Sequence, residues 1–110
     1  MAAALGRHAA GSAGTDELRL LTKHYLAALQ ARAPGRSVEV RVPPYAAVQV
    51  VEGVRHTRGT PPAVVETDAE TWLALATGRL SWTEAEAAGS IRASGERADL
   101  SAYLPLEAVV

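Results

Sequence analysis

The sequence "ETDAETWLALATGRLSW", residues 66–82, holds both tryptophans of a chain that has no phenylalanine. Two helix-start patterns follow one another here, "TDAE" from Thr67 to Glu70 and "SWTE" from Ser81 to Glu84. Each has the form of a capping box, in which a hydroxyl side chain and a glutamate three residues later satisfy free N–H groups of a first helical turn. The stretch therefore predicts two short helices that begin close together.

Each of these two helices also has a predicted end. Gly78 follows the first helix and Gly89 the second, at positions where a helix C-terminus favours a left-handed residue. The second helix is predicted over 82–88. The apolar residues of the first helix share one face at 100° per residue: Trp72, Leu73, Leu75 and Ala76.

A longer helix is predicted upstream, in "TDELRLLTKHYLAALQARAPG". Thr15 is the expected N-cap, and the pair Pro34 and Gly35 ends the helix. Leu20 points away from the apolar face and is expected to be exposed. The residues of that face are Leu18, Leu21, Tyr25, Leu26 and Leu29.

Four segments read as strands. In "SVEVRV" three valines alternate with Glu39 and Arg41, which predicts a strand with one buried face, and the prolines after it end the strand. The others are "YAAVQVVEG", "AVVET" and "SIRASG". The order of elements predicts one α+β domain with a largely antiparallel sheet, over residues 15–110, after a disordered Ala/Gly/Ser-rich tail in residues 1–14.

Composition excludes several classes of protein. The net charge of −1, from 11 basic and 12 acidic residues, does not produce the positive electrostatic potential that would attract nucleic acid. The absence of cysteine excludes disulfides, thiolate nucleophiles and cysteine-ligated zinc. Because we find neither a membrane-spanning apolar run nor a signal peptide, a cytoplasmic location is expected. No cofactor is expected.

The sequence offers few groups for catalysis. The histidines lack metal-ligand spacing: His8, His24 and His56. Glu66, Asp68 and Glu70 form an acidic group, but helix capping explains two of them. Nucleophile-elbow and phosphate-loop motifs are missing, so we do not expect an enzyme.

The segment "RHTRGTPP", residues 55–62, has two interpretations. Arg55, His56 and Arg58 beside glycine and proline can form a rigid basic loop that holds a carboxylate or phosphate head group. Glycine and proline are equally ordinary in a plain connecting loop. The two tryptophans also have two interpretations. A tryptophan on a helix is often a core residue. A pair of helices over an apolar sheet face can also enclose a pocket, which a tryptophan would then line.

The segment "TDAETWLALATGRLSWTEAEAAGSIRASG" resembles the sterol carrier protein family, and the resemblance extends over residues 63–104. The upstream strands resemble a short bacterial, particularly actinobacterial, branch of that family. The matching positions are Asp68, Trp72, Leu75, Gly78, Leu80, Ala85, Gly89, Ile91 and Gly95.

The resemblance implies a sheet of about five strands with helices on one face, and an apolar tunnel for lipids. It implies no catalysis. We therefore expect a small lipid-binding or lipid-transfer module with an apolar pocket under the helix pair 68–88, taking a fatty acyl chain, an acyl-CoA or a sterol-like lipid. The alternative is a module of the same fold with a filled core that docks to a protein partner. The residues expected to line the pocket are Trp72, Leu75, Ala76, Leu80, Trp82, Ile91 and Tyr103.

Overall fold

The computed structural model describes residues 14–53, 63–95 and 98–106. Three α-helices, four strands and one 3-10 turn lie within these ranges. In chain order they are α1 (Thr15–Arg32), β1 (Val38–Val42), β2 (Ala46–Val50), β3 (Ala63–Thr67), α2 (Ala69–Ala76), α3 (Trp82–Ala87), β4 (Ile91–Ser94) and the 3-10 turn (Ser101–Tyr103).

The strands form one sheet in the order β2-β1-β3-β4. β1 pairs with β2 and β3 pairs with β4 in antiparallel fashion, while the central pair, β1 and β3, is parallel. The predicted α+β class and largely antiparallel sheet are confirmed. Within the described residues the sheet has four strands, fewer than the five or so implied by the family resemblance.

The two faces of the sheet differ in burial. On one face the alternating valines of β1 are completely buried. The helices cover this face: α1 packs on β2 and on α2, and α3 packs on β4. The opposite face carries charges that alternate across neighbouring strands, with Arg41 beside Glu66 and Glu66 beside Arg92. An alternating, partly exposed set of this kind is typical of a solvated sheet face. The helices therefore lie on one side of the sheet.

Helix α1 supplies one side of the core, as its apolar pattern predicts. Leu20 is 52% exposed and points away from the core, which confirms its predicted position. Leu18 is only partly buried. The residues of α1 that are fully enclosed are Leu21, Thr22, Tyr25, Leu26 and Leu29.

One of the two predicted capping boxes is confirmed. In α3 the Ser81 hydroxyl accepts the Glu84 N–H at 3.1 Å, and the Glu84 carboxylate accepts the Ser81 N–H at 3.2 Å. The box predicted at Thr67 is wrong, because Asp68 is the N-cap of α2 and accepts the Thr71 N–H at 2.8 Å. Thr67 belongs to β3, and its hydroxyl donates instead to the carbonyl oxygen of Ser90, just before β4.

The predicted cap of α1 is also wrong by one residue. Gly14 is the N-cap and provides no side-chain hydrogen bond, while Thr15 is the first helical residue. The predicted helix ends are confirmed in the other two helices, where Gly78 and Gly89 have φ values of +80° and +71°. These left-handed residues let α2 and α3 follow one another over a short turn.

Candidate functional site

A cleft of about 300 Å³ lies between the α2–α3 turn and the segment 101–106. We call it the helix-turn cleft, and we call residues 101–106 the C-terminal wall. The polar residues of its lining are Ser81, Thr83, Glu84 and Ser101, together with the backbone of Gly78. Its apolar lining consists of Leu75, Leu80, Trp82, Leu104 and Pro105.

The turn between the two helices sets the first side of the cleft. Gly78 reverses the chain after α2, and the N–H groups of Arg79 and Leu80 both donate to the Ala74 carbonyl, at 2.9 and 3.2 Å. The Ser81 capping box then starts α3 immediately. Because Trp82 is the first residue of α3, this turn places its indole at the cleft.

The C-terminal wall is held from two directions. The Leu106 N–H donates to the Ala76 carbonyl at the end of α2, at 2.8 Å. The Arg32 guanidinium, in the last turn of α1, donates to the carbonyls of Tyr103 and Pro105 at 3.1 and 2.9 Å. These bonds fix a short segment that has little regular structure of its own.

The two tryptophans have different environments. Trp72 is 1% exposed, and its indole N–H donates to the Thr22 carbonyl at 3.3 Å, which ties α2 to α1. Trp82 is 6% exposed. Its indole nitrogen is buried and has no hydrogen-bond partner among the described residues. Most buried polar groups in proteins are hydrogen-bonded, so this indole N–H is an exception.

The residues predicted to line a pocket are divided between four places. Leu75, Leu80 and Trp82 are brought together in the helix-turn cleft. Trp72 and Ala76 lie in the core, between α2 and its neighbours.

The remaining two predicted residues are not part of the lining of the cleft. Ile91 is 8% exposed at the start of β4, and Tyr103 is half-buried in the C-terminal wall. Sequence reasoning missed Leu104 and Pro105, which form the opposite wall of the cleft. Their only local signal is the apolar run "YLPL", which is too short to show a period.

Among the described residues that line the helix-turn cleft, one has a charged side chain, Glu84. Hydrogen bonds from Ser81 lower the pKa of the Glu84 carboxyl, the side-chain bond more than the bond from the backbone N–H. Glu84 is therefore ionised at neutral pH. The adjacent cation, Arg79, directs its Nε toward the Thr77 hydroxyl at 3.3 Å. Beside the C-terminal wall, hydrogen bonds from Ser101 lower the pKa of Asp99.

The acidic group around α2 has structural roles. Asp68 caps the helix and also accepts the Thr71 hydroxyl at 3.0 Å. Glu66 lies on the charged face of the sheet and, with Asp68 and Arg92, borders a second, polar cleft of about 320 Å³. Within the described ranges no three His, Cys, Asp or Glu side chains are grouped as a metal site would require.

Several candidate residues fall elsewhere. His24 is exposed on α1, and its ring contacts that of Tyr25 edge-on at 4.9 Å. The basic residues Arg55, His56 and Arg58 lie outside the described residues, as does His8 with nearly all of the tail predicted in 1–14. None of the helices in the part of the chain that the structure describes is both long and apolar enough to cross a membrane.

Comparison with known proteins agrees with this fold. A family model described as "bacterial SCP ortholog" matches residues 15–106, which is most of the chain. No curated protein matches. The matched region runs from the start of α1 to the end of the C-terminal wall and so includes the whole described sheet and the helix-turn cleft. The chain belongs to the bacterial branch of the sterol carrier protein family.

Proposed function

We propose that the chain binds an apolar, lipid-like molecule in the helix-turn cleft and carries it without chemical change. The candidate ligands are a fatty acyl chain, an acyl-CoA and a sterol-like lipid. The observation that supports this proposal most is the set of apolar residues that line the cleft. They come from the end of α2, from the turn and the start of α3, and from the C-terminal wall. Family membership supports the same class of ligand.

The size of the cleft is compatible with part of a lipid. Its volume of about 300 Å³ is at the lower end of the range for small-molecule sites, about 300 to 1,000 Å³. Each buried methylene contributes about 0.8 kcal/mol, and a micromolar Kd corresponds to about −8 kcal/mol. Roughly ten buried methylenes are therefore required before the entropic cost of association is included. We expect the cleft to hold one end of a chain, with micromolar or weaker affinity.

An anionic head group needs cations that the described cleft does not supply. Glu84 is the charged residue of its lining, and it is acidic. For an acyl-CoA we therefore propose Arg55, His56 and Arg58 as the head-group contacts, on the strength of their sequence pattern.

The competing proposal is a docking module without a lipid. The observation that favours it is the burial of Trp72 and Leu73 in the core, where α2 packs on α1. In this account the helix-turn cleft is a surface depression, and the family fold serves as a rigid support for a protein partner.

Single-tryptophan variants separate the two proposals. Trp72→Phe leaves Trp82 at the cleft as the sole indole, and Trp82→Phe leaves Trp72 in the core as the matched control. Each variant is titrated with a long-chain fatty acid, an acyl-CoA and a long-chain alcohol while tryptophan emission is recorded. Lipid binding predicts a saturable change in the Trp72→Phe variant and little change in the Trp82→Phe variant.

The outcomes are distinct. A saturable response confined to the core tryptophan would place the ligand elsewhere and contradict the assignment of the site. If no ligand alters the emission or the melting temperature of the unmodified chain, the lipid proposal is wrong, and the docking module is the better account.

A further inference from the structure

We propose that the C-terminal wall is a gate of the helix-turn cleft, which turns about Leu100 to admit and release a lipid, and that Arg32 is the latch that keeps it closed. The gate rests on the proposed function, because it controls access to the same site. The strength of the Arg32 contacts then sets how fast a ligand enters and leaves.

The C-terminal wall has little packing of its own to hold it closed. Three of its six residues are exposed and three are half-buried. Directly before it, Leu100 is completely buried, and the Asp99 carboxylate accepts the Ser101 N–H at 2.8 Å. Segments with few buried apolar contacts open locally at a low cost in free energy, whereas core residues open only with the whole fold. The chain thus has a fixed point at Leu100 and a weakly packed segment after it, as a hinged element requires.

Hydrogen bonds hold the far end of the wall. The Arg32 guanidinium donates to the carbonyls of Tyr103 and Pro105 at 3.1 and 2.9 Å, and more weakly to that of Leu106 at 3.5 Å. The Leu106 N–H donates to the Ala76 carbonyl at 2.8 Å. Arg32 is exposed, so water competes for its donors. One side chain therefore supplies three of the bonds that close the wall, and it can release them while α1 stays folded.

The wall meets the α2–α3 turn at the edge of the cleft. A Cβ built on Gly78 would lie 3.4 Å from the Cβ and Cγ atoms of Pro105, so the proline ring lies directly over the turn. The closed cleft of about 300 Å³ is small for a lipid, and a long alkyl chain needs one side to move. On the helix side, Leu75 and Trp82 are buried in the core. Of the two sides, the wall is the one that is free to move.

A gate has a kinetic consequence that a fixed wall lacks. If a ligand passes only while the wall is open, its association and dissociation rates both scale with the fraction of molecules that are open. Loss of the Arg32 bonds raises that fraction about fivefold, as the net contribution of one hydrogen bond predicts. The Kd is the ratio of the two rate constants, so it changes by less than about twofold.

The first test removes the latch. The rates of 1-dodecanol binding are measured by stopped-flow from the emission of Trp82, in the full chain with Trp72→Phe. Arg32→Met removes the donors and keeps an apolar stem. Arg19→Met is the matched control, since Arg19 lies on the same helix and its guanidinium bonds Asp16 at 3.2 Å. We expect Arg32→Met to raise both rate constants about fivefold and Arg19→Met to change neither.

The second test locks the wall to the turn. The chain has no cysteine, so Gly78→Cys with Pro105→Cys introduces a single pair. The Cβ separation of 3.4 Å at these two positions is close to the roughly 3.5 to 4.5 Å found in disulfides. Comparing the oxidised with the reduced form of this one variant cancels the effect of the substitutions themselves. We expect the oxidised form to bind and release 1-dodecanol at least about tenfold more slowly, because the bond removes the open state.

Each result has a definite meaning. Unchanged rates in Arg32→Met, with equal rates in the two redox forms, would overturn the gate and leave lipid binding intact. Faster dissociation with unchanged association would also overturn it, since the wall would then hold the ligand without opening for entry. If the disulfide slows binding while Arg32→Met has no effect, Arg32 is not the latch. If the cysteine variant does not fold, the comparison of Arg32→Met with Arg19→Met decides alone. If 1-dodecanol does not bind the unmodified chain, the proposed function is wrong and the gate falls with it.

Discussion

Replacing Gly35 by alanine tests a close approach between two backbone segments. Gly35 follows α1 with a φ of +150°, and an added Cβ would lie 2.2 Å from both the carbonyl carbon and the carbonyl oxygen of Val51. Real Cβ atoms essentially never approach other heavy atoms within 3.0 Å, and here the neighbours are backbone. The substitution therefore forces the chain after α1 away from the end of β2.

The cost has two components. The positive φ is unfavourable for alanine by about 1 to 2 kcal/mol. The displacement also strains the hydrogen bonds at this junction, where the Val51 N–H donates to Ala33 at 2.6 Å and the Ser37 N–H donates to Val51 at 3.0 Å. Each buried bond that is lost costs about 1 to 3 kcal/mol. We expect Gly35→Ala to reduce the free energy of unfolding by about 3 to 6 kcal/mol.

Gly89→Ala is the matched control. Gly89 also has a positive φ, of +71°, but no atom lies within 4 Å of its added Cβ, so only the conformational cost of about 1 to 2 kcal/mol applies. The assay is equilibrium urea unfolding followed by tryptophan emission. Gly35→Ala should lose at least about 2 kcal/mol more than Gly89→Ala, and equal losses would refute the close approach.

Two further predictions concern the walls of the cleft. Arg32→Met removes the donors that hold the C-terminal wall and should lower its stability by about 1 kcal/mol. The Leu106 amide should then exchange about fivefold faster, and unchanged protection would mean that Arg32 does not hold the wall. Because the pKa of Glu84 is lowered by Ser81, its contribution is present above the ordinary value of 4.5 and is lost as the pH falls through the lowered pKa. Amide exchange in α3 should show this loss in the unmodified chain and not in Glu84→Gln, and an identical pH dependence in both would contradict it.

Most of the fold follows from local patterns in the sequence. The alternation of Val38, Val40 and Val42 defines a strand with one buried face, and all three are fully buried. The pair Ser81 and Glu84 likewise forms the predicted box, because a capping box depends on residues within a single turn. Local geometry is enough in these places.

Errors arise where a distant contact decides between local alternatives. Thr67 and Asp68 are both good N-cap residues, and the choice is made by β3, which continues through Thr67. The Thr67 hydroxyl then bonds the Ser90 carbonyl at 2.7 Å, a partner far along the chain. The parallel pairing of β1 with β3 is a similar case, since no short pattern specifies which strands become neighbours.

The candidate site was only half predictable for the same reason. Leu75, Leu80 and Trp82 belong to one continuous stretch, and the short turn at Gly78 between α2 and α3 brings them together. Leu104 and Pro105 are held at the cleft by two non-local hydrogen bonds. Arg32 donates to the Pro105 carbonyl, and the Leu106 N–H donates to a carbonyl of α2. The unpaired indole N–H of Trp82 is visible only once its surroundings are built.

The most direct test of the central claim is the set of intermolecular NOEs between unlabelled 1-dodecanol and the ¹³C,¹⁵N-labelled chain. If the helix-turn cleft binds the chain of a lipid, the alkyl protons should give NOEs to Leu80, Trp82 and Leu104, which come from both walls. Trp72, enclosed in the core, should give none. A ligand that saturates the protein but gives NOEs only to residues outside the cleft, or no detectable binding at all, would contradict the account.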